Sequence, residues 1–246
     1  MESAWLVLPT YNEAENIGPL VRAAVPRLEE AGVEPHVLVV DDGSPDGTGE
    51  LADGLASELP EVEVLHRPGK HGLGRAYLAG FGVALRRGAE YVLEMDSDFS
   101  HDPADLPRLI AAAQAADLAL GSRYVPGGGV TEWGTVRRAL SRGGSWYART
   151  VLGVPVRDLT GGFKCFHSRV LEWLDLSSVH AGGYAFQIEL TYRAIQAGFS
   201  VVEVPIVFRE RQVGSSKMTA RIALEAVWKV PALRLREHRE DHRYIL

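Results

Sequence analysis

Glu90-Tyr91-Val92-Leu93-Glu94-Met95-Asp96-Ser97-Asp98-Phe99-Ser100-His101-Asp102-Pro103 is an apolar run that ends in paired carboxylates. The run reads as a buried strand. Two carboxylates held one residue apart at its exposed end repel each other, and they are tolerated only beside a cation or a dense set of hydrogen-bond donors. Mg²⁺ and Mn²⁺ take one or two carboxylates and fill the rest of their shell with water and phosphate oxygens. The pair Asp96 and Asp98 therefore suits a metal diphosphate better than an all-protein metal cage. The plain alternative is a solvated turn or the cap of the next helix, and taken alone the spacing does not choose. An EF-hand is excluded, because counting from Asp96 puts His101 and Pro107 where Gly and Glu are required. Asp102 followed by Pro103 has the form of an N-cap with proline at the first helical position.

On the N-terminal side, Trp5-Leu6-Val7-Leu8-Pro9 is a continuous apolar run of the kind a buried parallel strand shows. Asn12 with Glu15 three residues on predicts a capping box. The helix behind it would bury Ile17, Leu20, Val21, Ala24, Val25 and Leu28 and end at Gly32. His36 to Val40 is a second strand that delivers Asp41 and Asp42 to its end, before Gly43-Ser44-Pro45-Asp46-Gly47-Thr48 turns the chain into another helix. Val62 to His66 reads as a third strand. Arg67-Pro68-Gly69-Lys70-His71-Gly72-Leu73-Gly74 lacks both the Gly-Lys-Ser/Thr end of a Walker loop and the third glycine of a dinucleotide fingerprint. It is read as backbone passing close to something, with Arg75 as a contact, before a helix from Ala76 to Leu85.

On the C-terminal side, a helix from Pro103 to Ala116 leads to a strand from Asp117 to Arg123. Repeated strand, loop and helix implies a mostly parallel α/β sheet flanked by helices, in which ligands sit at the carboxyl ends of the strands. Asp42, Asp98 and Arg123 all arrive at that edge. Further on, Trp133, Trp146 and Tyr147 are interleaved with Arg137, Arg138 and Arg142. That pattern suits an apolar surface beside anionic groups, but it leans slightly toward a core helix with a solvated basic face. Tyr184 to Gln196 reads as a helix carrying Gln187 and Glu189, and Val201 to Phe208 as a strand pair broken at Pro205. Arg209 to Lys217 is a loop rich in cations. Ile222, Ala223, Ala226, Val227, Val230 and Leu233, with Trp228, make the stripe of a terminal amphipathic helix that docks on the domain or on lipid. The expected organisation is a catalytic domain over 1–217 and this helix with a polar tail over 218–246.

With 246 residues, 46% hydrophobic and 24% charged, the composition is that of an ordinary globular chain. A net charge of −6 argues against a nucleic-acid partner. The single cysteine, Cys165, excludes an internal disulfide and a cysteine-rich zinc site, which suits a reducing compartment. Met1-Glu2-Ser3-Ala4 has no signal-peptide character, and no run approaches the roughly 18 apolar residues of a spanning helix. The expected location is the cytoplasm, peripheral at a membrane face.

Several segments together resemble one family: Pro9-Thr10-Tyr11-Asn12-Glu13, Val40-Asp41-Asp42-Gly43-Ser44, Asp96-Ser97-Asp98, Gly121-Ser122-Arg123, Asp158-Leu159-Thr160-Gly161-Gly162-Phe163, Gly183-Tyr184-Ala185-Phe186-Gln187-Ile188-Glu189 and Gly214-Ser215-Ser216-Lys217. Their order and spacing are similar to those of the dolichyl-phosphate (polyprenyl-phosphate) mannosyltransferases, inverting family 2 glycosyltransferases with a GT-A fold. The likeness runs from residue 5 to about residue 220.

The resemblance implies that Pro9, Tyr11, Glu13, Val40 and Asp42 hold the nucleoside of GDP-mannose. It implies that Asp96, Ser97 and Asp98 bind the Mg²⁺ or Mn²⁺ diphosphate with Ser100 near the metal, and that Arg123, Arg211 and Lys217 lie around the phosphates. Asp98, Arg123, Arg211 and Lys217 are the expected catalytic groups. Arg137, Arg138, Ser141 and Arg142 are expected to receive the acceptor phosphate, with Gln187 and Glu189 as positioning groups. A lipid phosphate monoester is already nucleophilic at neutral pH, its second pKa being about 6, so no general base is required. Membrane-anchored relatives carry spanning helices that this chain lacks, which implies a membrane-anchored partner protein or the chain's own surface as the route to lipid. The rival expectations are a polyprenyl-phosphate glucosyltransferase that uses UDP-glucose, and a non-catalytic nucleotide-sugar binding protein.

Overall fold

The computed structural model describes residues 1–179, 184–210 and 228–235. The N-terminal half alternates strand and helix: β1 (Ser3–Thr10), α1 (Ala14–Glu30), β2 (Glu34–Asp41), α2 (Thr48–Glu58), β3 (Val62–His66), α3 (Leu73–Arg86) and β4 (Tyr91–Glu94). A 3₁₀ turn at Pro103–Asp105 leads into α4 (Leu106–Ala115), then β5 (Leu118–Ser122), a short β6 (Gly129–Val130) and α5 (Thr135–Leu152). The chain continues through β7 (Lys164–His167), α6 (Ser168–Trp173), α7 (Tyr184–Gln196), β8 (Val201–Pro205) and β9 (Val207–Phe208). Residues 228–235 are helical.

Seven strands form one sheet in the order β3-β2-β1-β4-β7-β5-β8, and β6 pairs with β9 beside it. Every pairing in the large sheet is parallel except those of β7, which runs antiparallel to both β4 and β5. Two reversals restore the direction, so β4 and β5 point the same way as β1 and β2. Their carboxyl ends form one edge.

Alternation along the strands feeds two apolar layers. Val7, Leu38 and Val40 face Tyr77 and Phe81 of α3, Ala148 and Leu152 of α5, and Phe186 and Leu190 of α7. Leu6, Leu8, Val37 and Val39 face Ile17, Leu20 and Leu28 of α1 and Leu109 and Ile110 of α4. Each such side chain contributes about 1.5–3 kcal/mol by leaving water. Helix α3 rides close on the sheet because Gly80 has no side chain. A Cβ there would lie 2.4 Å from Val7 Cγ1.

Several expectations are corrected in detail. The capping box of Asn12 and Glu15 does not form: α1 begins at Ala14 and Asn12 sits at φ +59°. Asp46, brought over from the β2–α2 turn, accepts from the Ala14 backbone N–H at 3.1 Å and takes the role a local side chain would have played. Asp102 does cap, accepting from Ala104 N at 3.0 Å, but the first turn it opens is 3₁₀. The strand expected to reach Arg123 ends at Ser122. Pro205 closes edge strand β8 rather than interrupting it, consistent with proline at a sheet edge.

The arginine-rich segment is helical as α5, but it is not a core helix throughout. It buries Ser145, Ala148 and Leu152, while Val136, Leu140 and Trp146 stand exposed. Val230 of the 228–235 helix packs in the same layer as Ala148 and Leu152, and Arg234 donates to the Val151 carbonyl, so this part docks on the domain. Ile222, Ala223, Ala226 and Val227, and the boundary expected at 217/218, lie outside the described residues.

Candidate active site

At the carboxyl edge, Pro9, Tyr11 and Glu13 lie at and just past the end of β1, and Val40 and Asp42 at and just past the end of β2. The Val40 side chain is wholly buried in the apolar layer, and Glu13 and Asp42 are nearly as buried. Thr10 and Asp41 tie the two strand ends together, Thr10 Oγ1 donating to Asp41 Oδ1 at 3.0 Å, while Ser44 N and Oγ donate to the same carboxylate. Glu13 is buried, its N–H donating to Thr48 Oγ1 and its Oε2 accepting from Asn16 Nδ2 at 2.8 Å. Asp42 is ion-paired with Arg67, and Lys70 Nζ stands 4.1 Å over the Tyr11 ring. The glycine-rich loop thus does pass close to something. It lies against Gly43, whose added Cβ would meet Gly69 Cα at 3.4 Å. Arg75 is exposed on the first turn of α3.

The acidic pair follows β4 directly. Ser97 Oγ donates to the Pro9 carbonyl at 2.9 Å, fixing the loop to the end of β1. Asp98 is only 3% exposed and accepts from the Ser100 N–H at 3.0 Å, whereas Asp96 is half-buried. Tyr77 Oη donates to Asp96 Oδ1 at 3.4 Å, and burial followed by the Asp96 charge pushes its phenol well above the ordinary range, so it stays a donor. The Asp96 N–H donates to His101 Nδ1 at 3.4 Å. Burial drives the His101 imidazole down to about 4, with Asp98 pulling the other way, so the ring is neutral at pH 7.

These residues fit a divalent cation bound with phosphate. Ser100 Oγ is buried with no hydrogen-bond partner. Gly162 packs close against the pair: a Cβ there would lie 3.3 Å from Gln187 Nε2 and 3.9 Å from both Asp96 carboxylate oxygens. Among the described residues no cluster of three or more His, Cys, Asp or Glu side chains gathers as an all-protein cage. Two carboxylates and a hydroxyl, with phosphate oxygens and water completing the shell, suit a hard cation carrying a diphosphate.

Beneath the pair lies an ion pair that sequence reading missed. Glu94 and Lys164 are both 0% exposed, with Lys164 Nζ 2.9 Å from Glu94 Oε1 across the β4–β7 register. Lys164 also donates to the Gln187 side-chain and main-chain oxygens. Burial pushes the Glu94 carboxyl up and the Lys164 amine down, and each partner's charge opposes the shift of the other. Gln187 therefore braces the acidic loop from α7. Its neighbour Glu189, also buried, lies 3.9 Å from Arg193.

Arg123 arrives at the edge from β5, as expected, but its fork is engaged by Asp158. Nε and Nη2 donate to the two carboxylate oxygens at 2.7 Å each, the backbone N–H adds a third bond at 2.9 Å, and Nη2 also reaches Thr160 Oγ1 at 2.8 Å. Burial, the largest single influence, would raise the Asp158 carboxyl, but the Arg123 charge and the hydrogen bonds from Arg123 and Thr160 together outweigh it and hold the group below its ordinary value. The guanidinium faces the rings of Tyr124, Phe208 and Trp133 at 5.2–5.8 Å.

The expected acceptor residues line the start of α5. Arg137 stacks 4.3 Å from the Trp133 ring centroid, Arg138 Nη2 donates to the Trp133 carbonyl, and Ser141 Oγ accepts from Tyr124 Oη at 2.6 Å. Arg142 lies 5.9 Å from the Tyr124 ring. Tyr124 and Trp133 thus join the Arg123 pocket to the α5 arginines. Arg211 and Lys217 lie outside the described residues. Sequence reading had quoted Asp158, Thr160 and Gly162 as a motif without giving them roles, and it missed Arg67, Tyr77, Glu94, His101 and Lys164.

Residues 5–174 match the model of glycosyl transferase family 2. A polyprenol monophosphomannose synthase from Mycolicibacterium smegmatis is 54% identical over 227 residues, covering 92% of this chain and 84% of that protein. The chain belongs to glycosyl transferase family 2. An undecaprenyl-phosphate mannosyltransferase from Micrococcus luteus is 48% identical over 91% of this chain and 90% of its own length. The resemblance to the polyprenyl-phosphate mannosyltransferases drawn from the motifs is borne out, and so is the reading as a glycosyltransferase. The fold is shared with glucosyl-3-phosphoglycerate synthase from Mycobacterium tuberculosis, solved with Mn²⁺, UDP and glucosyl-3-phosphoglycerate. That match has a TM-score of 0.70 at 20% identity and covers 94% of this chain and 80% of that one.

Proposed function

We propose that this glycosyltransferase moves mannose from GDP-mannose to a polyprenyl phosphate, with inversion, to give polyprenyl-phosphate β-mannose and GDP. The observation that carries the reading is the pair Asp96 and Asp98 at the opening of the sheet, with the buried Ser100 Oγ unpartnered beside them. The names of the relatives at 54% and 48% identity support the sugar and the lipid phosphate.

Pro9, Tyr11, Glu13, Val40 and Asp42 hold the nucleoside, with Lys70 closing on the Tyr11 ring. Asp96, Asp98 and Ser100 would hold Mg²⁺ or Mn²⁺, with Ser97 fixing their loop. Such a cation, when bound, supplies positive charge to the diphosphate as it leaves. Tyr77 and His101 orient Asp96, while Lys164 and Gln187 support the loop from below. Arg137, Arg138, Ser141 and Arg142 receive the acceptor phosphate and hold an anion near an anionic donor. The phosphate oxygen attacks the anomeric carbon from the face opposite the nucleotide. A new C–O bond forms there as the bond to the diphosphate oxygen breaks. Arg123, held by Asp158, lends positive field to that space, and Arg211 and Lys217 are assigned to the donor phosphates.

No helix among the described residues is long and apolar enough to cross a membrane. Contact with lipid is assigned to α5, where Val136, Leu140 and Trp146 stand exposed on the same helix as Arg137, Arg138 and Arg142, which gives a peripheral enzyme at the cytoplasmic face. The test gives the full chain a polyprenyl phosphate, Mg²⁺ or Mn²⁺, and labelled GDP-mannose or UDP-glucose in parallel. Label should enter the organic phase from GDP-mannose, as the β anomer. Labelling from UDP-glucose alone, or an α product, overturns the proposal.

A further inference from the structure

Arg137 is one of the arginines assigned above to the acceptor phosphate, yet its guanidinium already holds an anion. Arg137 Nη1 donates to Glu210 Oε1 at 2.6 Å, with the arginine stacked 4.3 Å from the Trp133 ring. Glu210 is two residues past β9. A carboxylate on a guanidinium is a protein mimic of a phosphate oxygen pair, because each offers two anionic acceptor oxygens to the same fork. The two side chains are 29% and 42% exposed, so the pair is neither locked in the core nor fully solvated. Contacts of this kind are weak enough to be exchanged for a better anion.

The preceding residue runs to the acidic loop. The Arg209 N–H donates to the Ser100 carbonyl at 3.0 Å and its guanidinium lies 3.1 Å from Asp102 Oδ2. Glu210 thus stands one residue from a backbone bond to the loop that carries Asp96 and Asp98, and in direct contact with an acceptor-side arginine.

We propose that Glu210 is a displaceable stand-in for the acceptor phosphate, occupying Arg137 in the unloaded enzyme and yielding it when the lipid phosphate arrives. This rests on the assignment of α5 to the acceptor. It sets the apparent affinity for the acceptor, since the phosphate binds only by replacing the carboxylate. It also places the segment that leaves Arg137 beside the donor loop, so that acceptor arrival changes the restraint on Arg209 and Ser100. A static tie between α5 and the end of β9 would do neither.

The experiment compares wild type, Glu210→Gln, Arg137→Ala and the double variant, all as the full chain. The acceptor KM and kcat are measured at saturating donor, and binding of inorganic phosphate is measured by calorimetry without donor. Glu210→Gln should lower the acceptor KM and tighten phosphate about three- to fivefold, the scale of a half-exposed ion pair. Arg137→Ala should raise the acceptor KM, and adding Glu210→Gln to it should change nothing more, because the two residues act through one contact. A weaker or unchanged affinity in Glu210→Gln, or the same gain with Arg137 absent, overturns the inference. Wild-type enzyme that transfers no sugar to lipid phosphate instead condemns the proposed function, while the phosphate-binding comparison still decides the role of Glu210.

Discussion

Replacing Asp158 by Asn should be among the most damaging single changes in the crevice. Asp158 is wholly buried and accepts three hydrogen bonds from Arg123, two of them from the guanidinium at 2.7 Å. Asparagine keeps the shape but removes the carboxylate charge that faces the buried guanidinium. Breaking a buried pair in this way costs about 3–5 kcal/mol. A chain of this length has an unfolding entropy near 0.5 kcal/mol/K, at roughly 2.1 cal/mol/K per residue, so the melting temperature should fall by about 6–10 °C. The pH dependence gives a second readout with a definite sign. The folded carboxyl lies below its unfolded value of about 3.9, so its stabilisation is complete above that value and is lost as pH falls through the folded one. Wild type should lose this share below about pH 4, and Asp158→Asn should lack that part of the acid limb. Arg123→Met with Asp158→Leu should recover much of the loss, because it removes both charges. Urea unfolding followed by circular dichroism from pH 3 to pH 7 measures all of this. A loss under about 1 kcal/mol in Asp158→Asn would refute the reasoning.

His101 supplies a pH signature of the same sign in a higher window. Its folded pKa of about 4 lies below the unfolded value of about 6.5, so the unfolded chain takes up the proton first as pH falls, and stability is lost between pH 6.5 and 4. Going from pH 7 to pH 5 should cost about 2 kcal/mol from this group, and His101→Phe, which keeps a ring against Phe163 and Phe208, should remove that part of the difference. Equal pH dependence in both proteins rejects the burial argument. Leu140→Asp changes a side chain that is 66% exposed, so the fold should lose no more than about 0.5 kcal/mol. Binding to vesicles containing anionic lipid should weaken about tenfold or more, the worth of one inserted leucine, as read by co-sedimentation. Unchanged sedimentation would place the lipid contact elsewhere.

The central parallel strands β1, β2 and β4 were legible because each is a largely apolar run ending in polar residues, and the acidic pair because it sits where such a run stops. β7 was not, since Lys164-Cys165-Phe166-His167 is short and has a polar residue at each end. The charge of Lys164 makes sense only beside Glu94, which is seventy positions earlier. A lone ionic residue inside each of two apolar runs was the available signal, and only the antiparallel register turns it into a pair. Asp46 displaced a local capping box for the same reason, being a partner thirty-two residues away that spacing rules do not see. Periodicity made α5 amphipathic, but it did not say that its N-terminal half turns apolar residues outward. Arg123 was expected to serve phosphates. That Asp158 holds it follows from two loops meeting at the sheet edge, which neither segment encodes alone.

The account stands on Asp96 and Asp98 holding a divalent cation where a diphosphate leaves. The most direct test follows transfer of labelled mannose into organic-extractable lipid with Mn²⁺, with a chelator, and with Asp98→Ala. It predicts robust transfer by wild type with Mn²⁺, abolition by chelator that added Mn²⁺ reverses, and a loss of at least about a hundredfold in Asp98→Ala. Transfer that persists undiminished in the chelated wild type or in Asp98→Ala would contradict it.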